Sequence, residues 1–269
     1  MNSLDSTVAL TRSRAAGFAG GAAVGLLGGL VGLGGAEFRL PLLLGVFGFA
    51  ALAAVIVNKA MSLVVVVAAV PARLAAVPLG DVADEWTAVV NLLAGSLVGA
   101  WVGAAWATRM RSATLYRVLA VLLVFIAVVF TAERVGSLPQ LDLSEPVQLV
   151  AGVAAGFGIG VVAALMGVAG GELLIPTFVL LFAVDTKLAG SLSLLVSLPT
   201  MLVAFFRYSR DQAFAVLAAN RGFVVAMAAG SVTGSIVGGL LLGVVPEAVL
   251  VPLLAALLLF SAYKVWRHA

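Results

Sequence analysis

The chain has 269 residues, of which 63% are hydrophobic and 10% charged, and a formal net charge of +3. A soluble domain is roughly half apolar and about a quarter charged, so a water-soluble globule and a disordered chain are both excluded. Most of the chain must sit in lipid, where an excess of Lys and Arg marks cytoplasmic loops and calls for no nucleic-acid partner. There is no cysteine, which removes disulfides, thiol chemistry and thiolate metal sites. The single histidine, His268, is the penultimate residue, which weighs against a haem ligand, a histidine metal site and a serine–histidine protease. Asp81, Asp84, Asp142, Asp185 and Asp211 lie at the ends of apolar runs, which weighs against an intramembrane aspartyl protease. No Gly-x-x-x-x-Gly-Lys-Ser/Thr segment is present, so ATP hydrolysis by this chain is not expected, and neither is a cofactor.

A membrane span takes about 20 apolar residues, so the length accommodates roughly eight to ten helices. The runs are long and continuous, as from Leu115 to Thr131 and from Ala248 to Ala262, whereas barrel strands would alternate. In chain order, Arg12 and Arg14 precede a glycine-rich helix over about 15–34, read as a retained first helix and not a cleaved signal. A short apolar piece over about 38–49 follows, then fuller helices over about 58–78, 86–107 and 115–132. After the polar stretch from Glu133 to Pro146 the order recurs, with helices over about 147–168, 173–184, 187–206, 215–243 and 247–265.

The recurrence has an offset of 135 residues. Gly17, Gly21 and Gly25 align with Gly152, Gly156 and Gly160; Gly32, Gly35, Glu37 and Pro41 with Gly167, Gly170, Glu172 and Pro176. Ser62 aligns with Ser197, and Gly95, Ser96, Gly99 and Gly103 with Gly230, Ser231, Gly234 and Gly238. The expected fold is an all-α polytopic membrane protein of two repeats, 1–134 and 135–269, forming one transport domain. It has about eight full spans and two short or re-entrant segments. Arg12, Arg14, Lys59, Arg109, Arg111, Arg117, Arg207, Arg210, Arg221, Lys264 and Arg267 are assigned to one side. Asp81, Asp84, Glu85, Asp142, Glu145 and Glu247 are assigned to the other. Lys and Arg mark the cytoplasm, so the chain reads as a multi-pass protein of the cytoplasmic membrane with both termini inside. The pattern requires the two helices around each glycine motif to bring the chain back to its starting side, which inverts the second repeat. Inverted repeats with short, glycine-interrupted segments are a transporter signature.

The interruptions read Gly32-Leu33-Gly34-Gly35-Ala36-Glu37-Phe38-Arg39-Leu40-Pro41 and Gly167-Val168-Ala169-Gly170-Gly171-Glu172-Leu173-Leu174-Ile175-Pro176. A helix that starts after such glycines offers unpaired amides and the positive end of its dipole, which suits an anion. The duplicated Gly-x-Gly-Gly-x-x-x-x-x-Pro motif, with Asn58-Lys59-Ala60-Met61-Ser62 and the serines Ser191, Ser193 and Ser197, resembles the TauE/SafE sulfite exporter family over nearly the whole chain. That resemblance implies a transporter for sulfite, other sulfur oxyanions, organosulfonates or organic acids. The third glycine usual in the motif is Ala36 in the first copy, so the halves are not equal.

The expected anion site combines Gly34, Gly35, Ala36, Gly170 and Gly171 with Glu37, Arg39, Asn58, Lys59, Ser62, Glu172, Ser191, Ser193 and Ser197. Glu37 and Glu172 are the candidate proton-coupling groups, because an intramembrane carboxylate is a functional hypothesis by default. For Arg39, a structural ion pair with Glu37 or Glu172 stands beside direct anion binding; for Lys59, a positive-inside anchor stands beside a ligand role. Each serine has a second reading as a helix–helix hydrogen bond. The glycines at 95, 99 and 103 and at 230, 234 and 238 have the spacing of close helix packing. The expected partners are a small anion and membrane lipid, with self-association left open. A channel-like acid pathway, a membrane enzyme and an assembly subunit remain as alternative readings.

Overall fold

The structure, a computed structural model, describes residues 12–31, 35–76, 79–135, 141, 143–241 and 247–267. Among these residues there is no strand. The helices are α1 (Arg14–Val31), α2 (Ala36–Gly45), α3 (Ala51–Ala76), α4 (Leu79–Asp84), α5 (Trp86–Ala107) and α6 (Ser112–Val135). They continue with α7 (Glu145–Met166), α8 (Gly171–Phe182), α9 (Thr186–Tyr208), a 3-10 turn (Gln212–Ala215), α10 (Val216–Ala219), α11 (Arg221–Leu240) and α12 (Glu247–Trp266). Stretches within α3, α5, α6, α7, α9 and α11 are long and apolar enough to cross a membrane.

Glycine sets the two reversals. Gly35, with φ +73°, ends the turn before α2, and Gly167 (φ +72°) and Gly170 (φ +88°) frame the turn between α7 and α8. These are left-handed conformations that other residues adopt at a cost. At Gly35 a side chain would also overlap the Val24 carbonyl oxygen, so α2 starts hard against α1. The free ends of each hairpin are then tied together. Arg12 donates from Nε to the Phe47 carbonyl (2.8 Å) and from Nη2 to the Gly48 carbonyl (2.7 Å). In the second hairpin Gln148 Nε2 donates to the Leu181 carbonyl (2.5 Å) and the Leu141 amide to the Leu180 carbonyl (2.9 Å). Each hairpin therefore returns the chain to the level at which it began. With 10 and 12 residues, α2 and α8 are about 15 and 18 Å long, roughly half of the ~30 Å hydrocarbon layer.

Two glycine seams hold the bundle. On α1, Gly21 and Gly25 face the carbonyls of Met227 and Ser231; on α11, Gly230, Gly234 and Gly238 face those of Phe18, Ala22 and Leu26. On α5, Gly95 and Gly99 face the carbonyls of Val153 and Phe157; on α7, Gly156 and Gly160 face those of Leu92 and Ser96. A Cβ at any of these would overlap the opposing oxygen. Numbers rise together along each seam, so both pairs are parallel. Lipid gives no hydrophobic drive between helices, and close backbone contact of small residues supplies the association instead. The packing role expected of the later glycines is thus present, and it extends to Gly21, Gly25, Gly156 and Gly160. Central to the bundle are α3, packed on α2, α9 and α11, and α9, packed on α3, α5 and α8; α6 and α12 pack on each other.

Two expected helices shift. The one placed over 58–78 begins at Ala51, because its polar pair Asn58-Lys59 lies inside the span and not at its end. The one placed over 215–243 is divided. Asp211 caps the 3-10 turn by accepting from the Ala213 amide (2.9 Å), and the chain breaks at Asn220 before α11. Gly32, Gly34 and His268 lie outside the described residues.

The seams give a direct stability test. Gly99→Val should lower the melting temperature in detergent by an amount corresponding to about 1–3 kcal/mol, the usual range for overpacking. Gly158→Ala, where a Cβ meets nothing within 4 Å, should leave it unchanged.

Candidate anion site

Among the described residues the buried charged side chains are Glu37, Arg39, Lys59 and Glu172. They come from α2, α3 and α8, and all border the two glycine turns. Glu37 and Glu172 each occupy the first turn of a hairpin helix whose N-cap glycine provides no side-chain cap. The first amides of such a helix have no partner within it. One of them, that of Glu172, is met by the Glu172 carboxylate itself, and the carboxyl groups of Glu37 and Glu172 lie against each other. Neither oxygen of Glu37, nor Oε2 of Glu172, has a hydrogen-bond donor. An ionised carboxylate only accepts. The two groups can therefore hydrogen-bond to each other only while one of them carries a proton.

Arg39 is fully buried and bonds to neutral oxygens. Its Nε donates to Asn58 Oδ1 (2.9 Å), Nη2 to Ser62 Oγ (3.2 Å) and Nη1 to Ser231 Oγ (3.4 Å). Neither Glu37 oxygen accepts from it, so the ion pair weighed from the sequence does not form with Glu37. A guanidinium has five N–H groups, and these three bonds leave part of that capacity free.

The α3 side chains are turned toward the end of α7. The last carbonyls of a helix lack internal partners and attract cations. Lys59 Nζ donates to the carbonyls of Ala163 (2.8 Å) and Val168 (2.6 Å), and Ser62 Oγ to that of Gly167 (3.1 Å). Asn58 Nδ2 reaches both Met166 and Ala36 carbonyls, each at 3.0 Å, and Tyr208 donates to the Ala164 carbonyl (2.9 Å). Lys59 is consequently not a positive-inside anchor at the membrane surface. It is buried at depth because these carbonyls receive its charge.

The remaining candidates divide. Gly35 and Gly170 lie at the expected helix interruptions and take left-handed backbone there. A Cβ at Gly171 would reach Ser193 Oγ at no less than 3.9 Å, so this backbone is uncrowded. Ala36 is buried and lends its carbonyl to Asn58. Ser193 bonds within its own helix to the Gly190 carbonyl (2.9 Å), whereas Ser191 and Ser197 are buried without a partner. Sequence reasoning missed Tyr208 and the contribution of Ser231 to Arg39. Ser231 was visible as the offset partner of Ser96, which pairs instead with Thr200 (2.7 Å).

A cavity of about 480 Å³ opens between α6, α7 and α8. Its lining is apolar except for Thr177, whose hydroxyl is spent on the Leu173 carbonyl (2.6 Å). It holds nothing that would receive an anion.

Glycine-turned half-length helices that bury charges among helices long and apolar enough to cross a membrane are features that recur in integral membrane transporters. The sequence matches the family described as "Sulfite exporter TauE/SafE" over residues 17–265, and the chain belongs to that family of membrane transporters. No curated protein and no solved structure gives a match.

The Arg39 network is testable by chemistry. Arg39→Lys keeps the charge but loses the planar fork that serves Asn58, Ser62 and Ser231 together. It should fold with a lower melting temperature, by an amount corresponding to about 1–3 kcal/mol.

Proposed function

We propose that the protein is a secondary transporter. It carries a small anion, namely sulfite, another sulfur oxyanion or an organosulfonate, across the cytoplasmic membrane between its two glycine-turned hairpins. A proton accompanies each anion. One observation carries this reading: among the described residues the formal charges of the buried side chains, Arg39 and Lys59 against Glu37 and Glu172, sum to zero. An anion arriving in this low-dielectric interior would leave one negative charge unbalanced, at a large Coulomb cost. Arg39, bonded to neutral oxygens, supplies the attraction, and the free amides near Gly170 and Gly171 add to it. Taking up a proton on the Glu37–Glu172 pair restores neutrality, since these carboxyls otherwise only repel each other.

In the proposed topology α1–α2 and α7–α8 are hairpins that each return the chain to the side on which they begin, α3, α5, α6, α9, α11 and α12 cross fully, and both termini are cytoplasmic. The two halves run in opposite directions. Contacts spaced 135 residues apart support the repeat: Gly95 faces Val153 as Gly230 faces Phe18, and Gly156 faces Leu92 as Gly21 faces Met227.

Two measurements test the proposal. In proteoliposomes loaded with labelled sulfite or an alkylsulfonate, Glu37→Gln or Glu172→Gln should retain anion binding and lose the response of transport to a pH gradient. Parent-like responses in both variants would end the proton-coupling reading. Single cysteines at Arg109 and Arg210 should react with an impermeant thiol reagent from the cytoplasmic side, and one at Asp84 from outside. Labelling of Asp84 and Arg109 from one side would reject the topology.

A further inference from the structure

With α6 and α12 set aside, the glycine seams and the polar bonds sort the remaining long helices into two groups that cut across the sequence halves, although α3 of one group also packs extensively on α9 of the other. In one group α1 packs on α2 and α11, and α3 on α2 and α11. In the other, α5 packs on α7 and α9, and α8 on α7 and α9. Each group takes three helices from one half and the fourth from the other. The glycine seams lie inside the groups, α1 on α11 and α5 on α7. There the backbones touch, and no side chain can swing away to loosen them. The polar bonds of Arg39 also stay within its group, as do those of Ser96 with Thr200 and Tyr208 with Ala164.

Across the boundary, α3 meets α7 and α9. A cluster of hydrogen bonds joins the groups at this crossing. Asn58 donates to Met166, Lys59 to Ala163 and Val168, and Ser62 to Gly167, in every case from a side chain of α3 to a carbonyl at the end of α7. The cluster differs from the seams in kind. Lys59 ends in a flexible ammonium whose donors water can satisfy, and the released carbonyls can be hydrated as well. Asn58 and Ser62 spend their donors on protein backbone and accept from Arg39, and Lys59 spends two of its three N–H donors on carbonyls at the end of α7.

We infer that Asn58, Lys59 and Ser62 are positioning residues that clamp the two helix groups together, and that the clamp releases as the groups separate during transport. This rests on the transporter reading above, but its first test does not. The chain has no cysteine, so Val168→Cys, buried beside the clamp, reports on opening by its rate of modification with a water-soluble thiol reagent. Added to that reporter, Lys59→Met should raise the rate at least about tenfold, since it removes two charged hydrogen bonds. Lys59→Arg, which keeps the donors, should return it toward the parent rate. Ser62→Ala should give a smaller increase, and it serves as the probe should Lys59→Met fail to fold. An unchanged rate in Lys59→Met, or in Ser62→Ala where that is the probe, overturns the clamp. So does loss in Lys59→Met of a sulfite-induced rise in melting temperature that the parent shows, because that result makes Lys59 an anion ligand. Accelerated labelling in a protein whose parent carries no sulfite or alkylsulfonate in proteoliposomes would keep the clamp and reject the transporter reading.

Discussion

A helix interrupted at membrane depth exposes carbonyls and amides to a medium that cannot hydrogen-bond them, and every such group has to be met from within the protein. The turn after Met166 meets this demand with side chains from a distant part of the chain. Lys59, Asn58, Ser62 and Tyr208 supply donors to the carbonyls of Ala163, Ala164, Met166, Gly167 and Val168. Much of the architecture follows. An Asn-Lys pair has to lie inside α3, α3 has to cross beside the end of α7, and the second glycine turn is held where Glu172 meets Glu37. The turn's geometry and the buried charges are one arrangement.

The opposite ends of the broken helices pose the complementary problem. At the start of α8 the amide of Glu172 is answered by its own carboxylate, while Glu37 has no donor. The positive pole of a helix is thus partly occupied by a carboxylate of the chain itself. The halves solve the problem differently. Arg39 stands where the second half has Leu174, and Lys59 where it has Leu194. Ser197, the counterpart of Ser62, correspondingly has no guanidinium to receive and is left without a partner. The cationic equipment of the site belongs to one half.

Features encoded locally were legible in the sequence. Glycine at 35 and 170 announced helix interruptions, and the four-residue spacing of Gly95, Gly99 and Gly103 announced a close helix contact. The helix over 86–107 was readable to its ends because polar and charged residues bound the apolar run on both sides. Features created by distance were not legible. Lys59 resembles a surface anchor in any sequence window, and the carbonyls that bury it lie 104 and 109 residues away. Arg39 invited pairing with Glu37 two positions before it. On a helix those residues point in different directions, and the actual partners sit on α3 and α11. The break before α11 depended on a local Asp211 cap within a stretch apolar enough to pass as continuous helix.

The parallel seam between α1 and α11 also bears on how the protein is made. Phe18 touches Gly230 and Gly25 touches Ser231, so α1 waits more than two hundred residues of synthesis for its mate. Meanwhile Arg39 lacks Ser231, and until α7 emerges Lys59 lacks the carbonyls that receive its charge. The newborn N-terminal helices therefore enter the bilayer carrying polar groups whose partners do not yet exist. Such a nascent chain is held open by unmet bonds until late in translation. A truncation that removes α11 deprives α1 of the backbone it packs against and Arg39 of Ser231.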